Sequence, residues 1–300
     1  MIAPDGNVIE TEGLTKRYRQ VAAVDALDLR VRRHQITGFL GCNGAGKSTT
    51  VKMLLGMTHP TSGTATLLGR PIADPKANRL ARRQVAYVAE DKHLYGYLTV
   101  AEMVRFTRSF YADWRPDVAD GLLAQYQLPP SQKIRTLSKG MRTKLALLLA
   151  LARSPALLLL DEPSEGLDPV TVEGLLRVLV AAAADGVTVF FSSHQIAEIE
   201  RIADRVVILD RGKQVLDLAM DDLRRDFRRI TLGFPSVPPP REFIAAEARS
   251  FRTSGRQVTI LAAGDAEGIA ARGRALGAIS VDVAPVDLRE VFLDVVGAAA

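Results

Sequence analysis

The chain has 300 residues, 47% of them hydrophobic, and a formal net charge of +5. That apolar content suffices for the core of one large or two smaller domains, and the lone cysteine, Cys42, excludes an internal disulfide and fits a reducing cytosol. No run of about 20 apolar residues crosses a bilayer, residues 1–6 lack the basic and apolar blocks of a secretion signal, and no basic cluster with interleaved aromatics supports nucleic-acid binding.

The basic excess lies before residue 221, since the remainder holds 11 Arg against 11 Asp plus Glu. It reads as a solvated surface, or as one facing nucleotide or membrane. Residues 8–10 and 26–31 alternate partly between apolar and polar and read as strands. Between them, Tyr18 is either a half-buried strand residue or a ring placed to stack on a base. Residues 36–40 form an apolar run that predicts a buried strand. Gly41-Cys42-Asn43-Gly44-Ala45-Gly46-Lys47-Ser48-Thr49 follows it, and 50–55 opens a helix. Strand, glycine loop and helix in that order is the context of a phosphate-binding loop. Glycine lets successive N–H groups turn inward, and with a helix N-terminus they cradle an anion. Lys47 is then placed for the β- and γ-phosphates, and the Ser48 hydroxyl for Mg²⁺. Cys42 is a small filler in this loop or, once oxidised, a block to it.

A turn at 58–63 leads to a strand over 64–69, a basic helix near 79–83 and a short buried strand over 85–89 that ends at Glu90. Residues 91–128 read as helical and rich in aromatics, with Tyr95, Tyr97, Phe106, Phe110, Tyr111 and Trp114 serving a core or a partner. Thr99 and Glu102 fit a capping box. Ser138 caps an apolar helix over 142–153. Residues 156–160 are a fully apolar strand of the kind covered on both faces, and it ends in Asp161-Glu162-Pro163. Adjacent carboxylates at the end of a buried strand are costly unless they serve a metal or a proton transfer; a helix cap is the plainer alternative. A loop at 164–169, a helix over 170–184 and an apolar strand over 187–191 follow. That strand ends in Ser192-Ser193-His194, so His194 is a cap or, on the same sheet edge as the phosphate loop, a functional group. A helix over 196–203 and a strand over 206–210 complete this part.

Taken together, these motifs resemble the ATP-binding-cassette (ABC) ATPase family over about residues 7–215. Gly41 to Thr49 is similar to Walker A, and Leu157 to Glu162 to Walker B with the catalytic glutamate. Leu137-Ser138-Lys139-Gly140-Met141 is similar to the signature, Gly166-Leu167-Asp168 to the D-loop, and His194 to the switch histidine. Tyr18 matches the aromatic A-loop residue, and Glu90 falls at the Q-loop position. The signature departs from Leu-Ser-Gly-Gly-Gln at Lys139 and Met141, and Glu90 replaces a glutamine. The resemblance implies that ATP contacts Tyr18 and Gly41 to Thr49, and that Ser48, Asp161 and Glu90 hold Mg²⁺. It also implies that Glu162 polarises the attacking water, with His194 contacting the γ-phosphate and Asp168 in the D-loop. Ser138 and Gly140 would touch the ATP of a second ABC subunit, so the cassette would dimerise on ATP.

The C-terminal remainder reads as a charged helix or linker over 221–229, strands at 230–232, 257–261 and 279–283, and helices over 266–276 and 288–296. It contains no catalytic constellation, and it serves regulation, dimer contact or bracing. The expected architecture is therefore α/β: a P-loop NTPase cassette over 7–219, with a mostly parallel sheet, antiparallel N-terminal strands and a helical subdomain at about 91–153. A small α+β accessory domain over 220–300 follows. The implied activity is ATP hydrolysis that energises a separate integral membrane permease, as in bacterial exporters, from the cytoplasmic face of the membrane. The alternatives are a non-transport ABC ATPase with a mechanical or regulatory role, and a cassette that binds ATP without turnover.

Overall fold

The computed structural model describes residues 6–246 and 248–297, so most of the 1–6 stretch considered above lies outside the described residues. The chain divides into two compact units, 1–217 and 218–300.

In the first unit, β1 (Asn7–Tyr18), β2 (Val21–Leu27) and β3 (Arg30–Arg32) come first, followed by β4 (Ile36–Leu40) and α1 (Lys47–Leu54). Next are β5 (Ser62–Leu67), β6 (Arg70–Pro71), α2 (Pro75–Arg82) and β7 (Val85–Val88). Helices α3 (Val100–Arg108), α4 (Pro116–Gln125) and α5 (Lys139–Leu151) precede β8 (Leu157–Asp161). The unit ends with α6 (Pro169–Ala184), β9 (Thr188–Ser193), α7 (Ile196–Ile202), β10 (Arg205–Asp210) and most of β11 (Lys213–Ala219), whose last two residues belong to the second unit.

These strands form two sheets. The N-terminal one is five-stranded, with β1 antiparallel to β2, β3 and β5. The second has the order β11-β10-β4-β9-β8-β7, and the pairs from β10 through β7 are all parallel. β4, β8 and β9 are buried at every position. That is why they are uniformly apolar over most of their length: with no solvent-facing side, alternation disappears. Parallel pairing also puts all their C-terminal ends on one edge, with Leu40 opposite Ser193 and Asp161 opposite Ser192. The phosphate loop, the Asp161-Glu162 pair and His194 all leave the sheet from that edge.

The segment read as helical from 91 is not helical until Val100. Thr99 caps α3 through a complete capping box with Glu102, which fixes the helix start there. The preceding residues spend their backbone groups elsewhere: Arg135 N–H donates to Gly96 O at 3.0 Å and Ile134 N–H to Leu98 O at 2.9 Å. Trp114 and Tyr126 join the apolar core of α3, α4 and α5. Tyr95, Tyr97, Phe106 and Phe110 stay exposed and touch one another, with centroids 5.0–5.8 Å apart.

The second unit contains α8 (Met220–Asp226), β12 (Phe227–Gly233), α9 (Arg241–Ile244), β13 (Ser250–Ser254), β14 (Gln257–Ala263), α10 (Ala266–Ala275), β15 (Ser280–Pro285) and α11 (Leu288–Gly297). From β12 onward the chain runs β-α-β-β-α-β, and the antiparallel sheet has the order β13-β14-β12-β15, the ferredoxin-like arrangement. One sheet face carries Ile230, Leu232, Val258 and Ile260, which form a core with Ile244 and Ile269. β13 escapes sequence reading because it is an edge strand with mostly exposed polar residues.

Candidate functional site

The residues on the sheet edge line a cleft of about 320 Å³ bounded by Ala23, Asn43, Gly44, Gly46, Lys47, Ser48, Thr49, Glu90, Glu162, Glu165 and His194. The loop's conformation explains its glycines. Gly44 and Gly46 have φ of 84° and 107°, the left-handed region that a Cβ disfavours. A Cβ at Gly46 would also lie 2.3 Å from the Ala23 carbonyl. Gly46 is the N-cap of α1 and offers no side-chain cap, so the first N–H groups of the helix are left for an anion.

Lys47 is buried, and its ammonium is held by two loop carbonyls and one carboxylate. Nζ donates to Gly41 O at 2.7 Å and Cys42 O at 3.3 Å, and pairs with Glu162 Oε1 at 3.0 Å. Glu162 is buried too, with φ of 45°; a left-handed non-glycine residue costs on the order of 1–3 kcal/mol and persists only where its surroundings enforce it. Here its N–H donates to both the carbonyl and the hydroxyl of Ser192, at 3.2 and 3.1 Å. Its Oε2 accepts from His194 N–H at 3.3 Å and lies 2.9 Å from His194 Nδ1. A carboxylate there requires the imidazole proton on Nδ1, and the Gln195 amide then donates to Nε2 at 3.1 Å. Glu165 Oε2 stands 3.5 Å from the same Nε2, so His194 lies between two carboxylates.

Asp161 is buried beside this array. Its Oδ1 accepts from Ser48 Oγ at 3.1 Å and from Ser192 Oγ at 2.7 Å. Burial, with the carboxylates of Asp161 and Glu90 nearby, pushes the Tyr87 phenol up to about 12. Ser48, Asp161 and Glu90 offer only oxygen donors, which fits a hard cation such as Mg²⁺. Lys47 and the uncapped loop N–H groups fit a polyphosphate.

Other predicted site residues lie elsewhere. Gly41, Cys42 and Ala45 shape the loop backbone, where Ala45 N–H donates to Cys42 O, without lining the cleft. Tyr18 is half-exposed at the end of β1, opposite Val21, with Lys16 Nζ 5.1 Å from its ring centre; it too is outside the lining. Ser138 caps α5 by accepting from Met141 N–H at 3.2 Å. Gly140 faces Thr171, and Asp168 caps α6 through Thr171 N–H at 3.0 Å and its hydroxyl at 2.6 Å. Those hydrogen bonds hold the Asp168 carboxyl below the usual range. Ser138, Gly140 and Asp168 are thus not gathered into the chain's own cleft. Sequence reasoning missed Ser192 and Glu165. Ser192 ends an apolar strand, where a buried hydroxyl signals an acceptor alongside; Glu165 gave no signal beyond its nearness to Glu162.

Comparison with known proteins agrees with this geometry. Residues 24–165 match the family described as ABC transporter. The chain is 35% identical over 225 residues to the bacitracin transport ATP-binding protein BcrA of Bacillus licheniformis, covering 74% of this chain and 73% of that protein. It is 31% identical over 301 residues to the Nod factor export ATP-binding protein I of Burkholderia lata, covering 96% of this chain and 97% of that one. A solved structure described as the ATP-binding subunit of an ABC transporter superposes with a TM-score of 0.66 at 32% identity, covering 73% of this chain and 92% of that one. A P-loop at the head of α1, two carboxylates and a histidine on the same parallel-sheet edge, and these similarities together make the chain a member of the ABC transporter ATP-binding family, an ATPase of the P-loop class.

Proposed function

We propose that this chain is the ATP-hydrolysing subunit of an exporter whose permease is a separate membrane protein, and that two cassettes close on ATP. The observation that carries the reading is the Lys47–Glu162–His194 array on the edge that also bears Ser48 and Asp161. An incoming triphosphate competes with Glu162 for Lys47, because the buried ammonium and carboxylate are already paired at 3.0 Å. Released from that pair, the Glu162 carboxylate accepts a proton from water, with His194 orienting it from the other side. A positioned base of this kind supplies about 10²–10⁴-fold. Ser48, Asp161 and Glu90 would hold Mg²⁺, which when bound neutralises charge developing on the phosphoryl oxygens.

Dimer closure is supported by Ser138 and Gly140 lying outside the lining of their own cleft; they complete the site of a second subunit, and Asp168 accompanies them. Tyr18 stacks on adenine once nucleotide is bound. The exposed cluster of Tyr95, Tyr97, Phe106 and Phe110 offers an aromatic surface for the permease, in the helical subdomain at about 91–153. No helix among the described residues is long and apolar enough to cross a membrane. In this reading a permease on another chain holds the subunit at the cytoplasmic face. Residues 220–300 act as an accessory domain.

The test is sedimentation of the Glu162→Gln variant with and without Mg·ATP. The variant is expected to bind ATP, turn it over slowly and accumulate as a dimer only with nucleotide. A chain that stays monomeric at saturating Mg·ATP, alone and with its permease, contradicts the closure. Affinity capture from membranes identifies the permease; capture of ribosomes instead contradicts the transport reading.

A further inference from the structure

Glu198 lies on α7, four residues after His194, and is 9% exposed. No lysine or arginine pairs with it among the described residues. A buried carboxylate without a cation is costly unless its lone pairs are satisfied. Here Oε2 accepts from Ser164 Oγ at 2.7 Å and from Ser193 Oγ at 3.2 Å. Both serines are buried, 5% and 0% exposed. Ser193 Oγ in turn accepts from Gln195 N–H at 2.9 Å. Burial pushes the Glu198 carboxyl up, while the two serine hydroxyls oppose that shift.

The two serines belong to the two segments that carry the proposed chemistry. Ser164 is two residues beyond Glu162, and Ser193 directly precedes His194. The Glu162–His194 contact at 2.9 Å spans these same segments on one side, and Glu198 spans them on the other. From this geometry we infer that Glu198 is a positioning residue: its carboxylate fastens the loop after Glu162 to the loop of His194 and sets the distance between base and imidazole. Among the described residues its side-chain hydrogen bonds go to Ser164 and Ser193, and not to the 41–49 loop or to Ser48, Asp161 or Glu90, so its effect falls on turnover and not on ATP binding. This inference rests on the ATPase reading above.

The experiment measures kcat, ATP affinity by equilibrium binding, and melting temperature for wild type, Glu198→Ala, Glu198→Gln, Ser164→Ala and the Ser164→Ala/Glu198→Ala pair. Misplacing a catalytic group by about 1 Å can cost on the order of 10²-fold, so Glu198→Ala is expected to lose roughly 10–100-fold in kcat with ATP affinity within about twofold. Glu198→Gln, which keeps the volume and one acceptor, should recover part of that loss. Ser164→Ala should add little to Glu198→Ala, because both cut the same link. A kcat for Glu198→Ala within about twofold of wild type, or losses of turnover, ATP affinity and melting temperature in proportion in both Glu198 variants, overturns the positioning role. An inactive wild type with bound Mg·ATP instead overturns the ATPase reading.

Discussion

The two units use charge in opposite ways. In the first, Lys47, Asp161 and Glu162 are buried on one sheet edge, with Glu198 of α7 buried behind them against Ser164 and Ser193. In the second, Asp294 is the charged residue buried among the described positions, and the ion pairs Arg229–Glu290 and Arg225–Asp222 are substantially exposed. Burying a charge costs several kcal/mol after relaxation, so a fold that gathers such groups at one edge retains them for chemistry. The second unit buries one such carboxylate, Asp294, paired with Arg252 at 3.4 Å, and otherwise obtains its stability from the apolar face of its sheet.

Three substitutions probe that contrast. Ile260→Ala removes a fully buried side chain from the second core and is expected to lower unfolding stability by about 2–5 kcal/mol. Denaturant unfolding reads the loss, and ATP affinity measured in parallel should not change; a lost ATP site would mean that the two units do not act separately. Gly46→Ala is expected to lose ATP binding and about 1–3 kcal/mol of stability, from the positive φ and the 2.3 Å approach to Ala23 O. Nucleotide titration and a thermal melt check both, and unaltered ATP affinity would contradict the cradle. Arg229→Ala cuts an ion pair whose side chains are 39% and 36% exposed. It should cost only about 0.2–1 kcal/mol, and a larger loss in urea unfolding would show that the charges of the second unit matter more than their exposure implies.

How legible the molecule was in its sequence follows the same division. The parallel sheet and its edge were readable because β4, β8 and β9 are buried on both faces and therefore apolar over most of their length, and because β8 and β9 end in Asp161 and Ser193, polar residues that are out of place there. Gly41 to Thr49 needed only its strand and helix flanks. What sequence alone could not supply was pairing across the fold. Ser192 beneath Asp161, Glu165 beside His194, and Glu198 between Ser164 and Ser193 are set by strand register and helix docking, which no local pattern encodes. A glutamate on a short helix reads as solvated until its neighbours are known. The start of α3 was blurred for a related reason: residues 91–98 are aromatic-rich and make local turns, but the Gly96 and Leu98 carbonyls accept from Arg135 and Ile134 instead of continuing a helix. In the second unit, β13 is polar and at an edge, so neither periodicity nor apolarity marks it.

The proposed activity needs one cleft both to hold ATP and to hydrolyse it through Glu162. The most direct measurement is a single-turnover phosphate-release experiment on wild type and Glu162→Gln with Mg·ATP, with ATP affinity determined on the same preparations. The account predicts equal or tighter ATP binding and phosphate release slowed by about 10²–10⁴-fold in the variant. Wild-type release from a Glu162→Gln protein that binds ATP normally would contradict it.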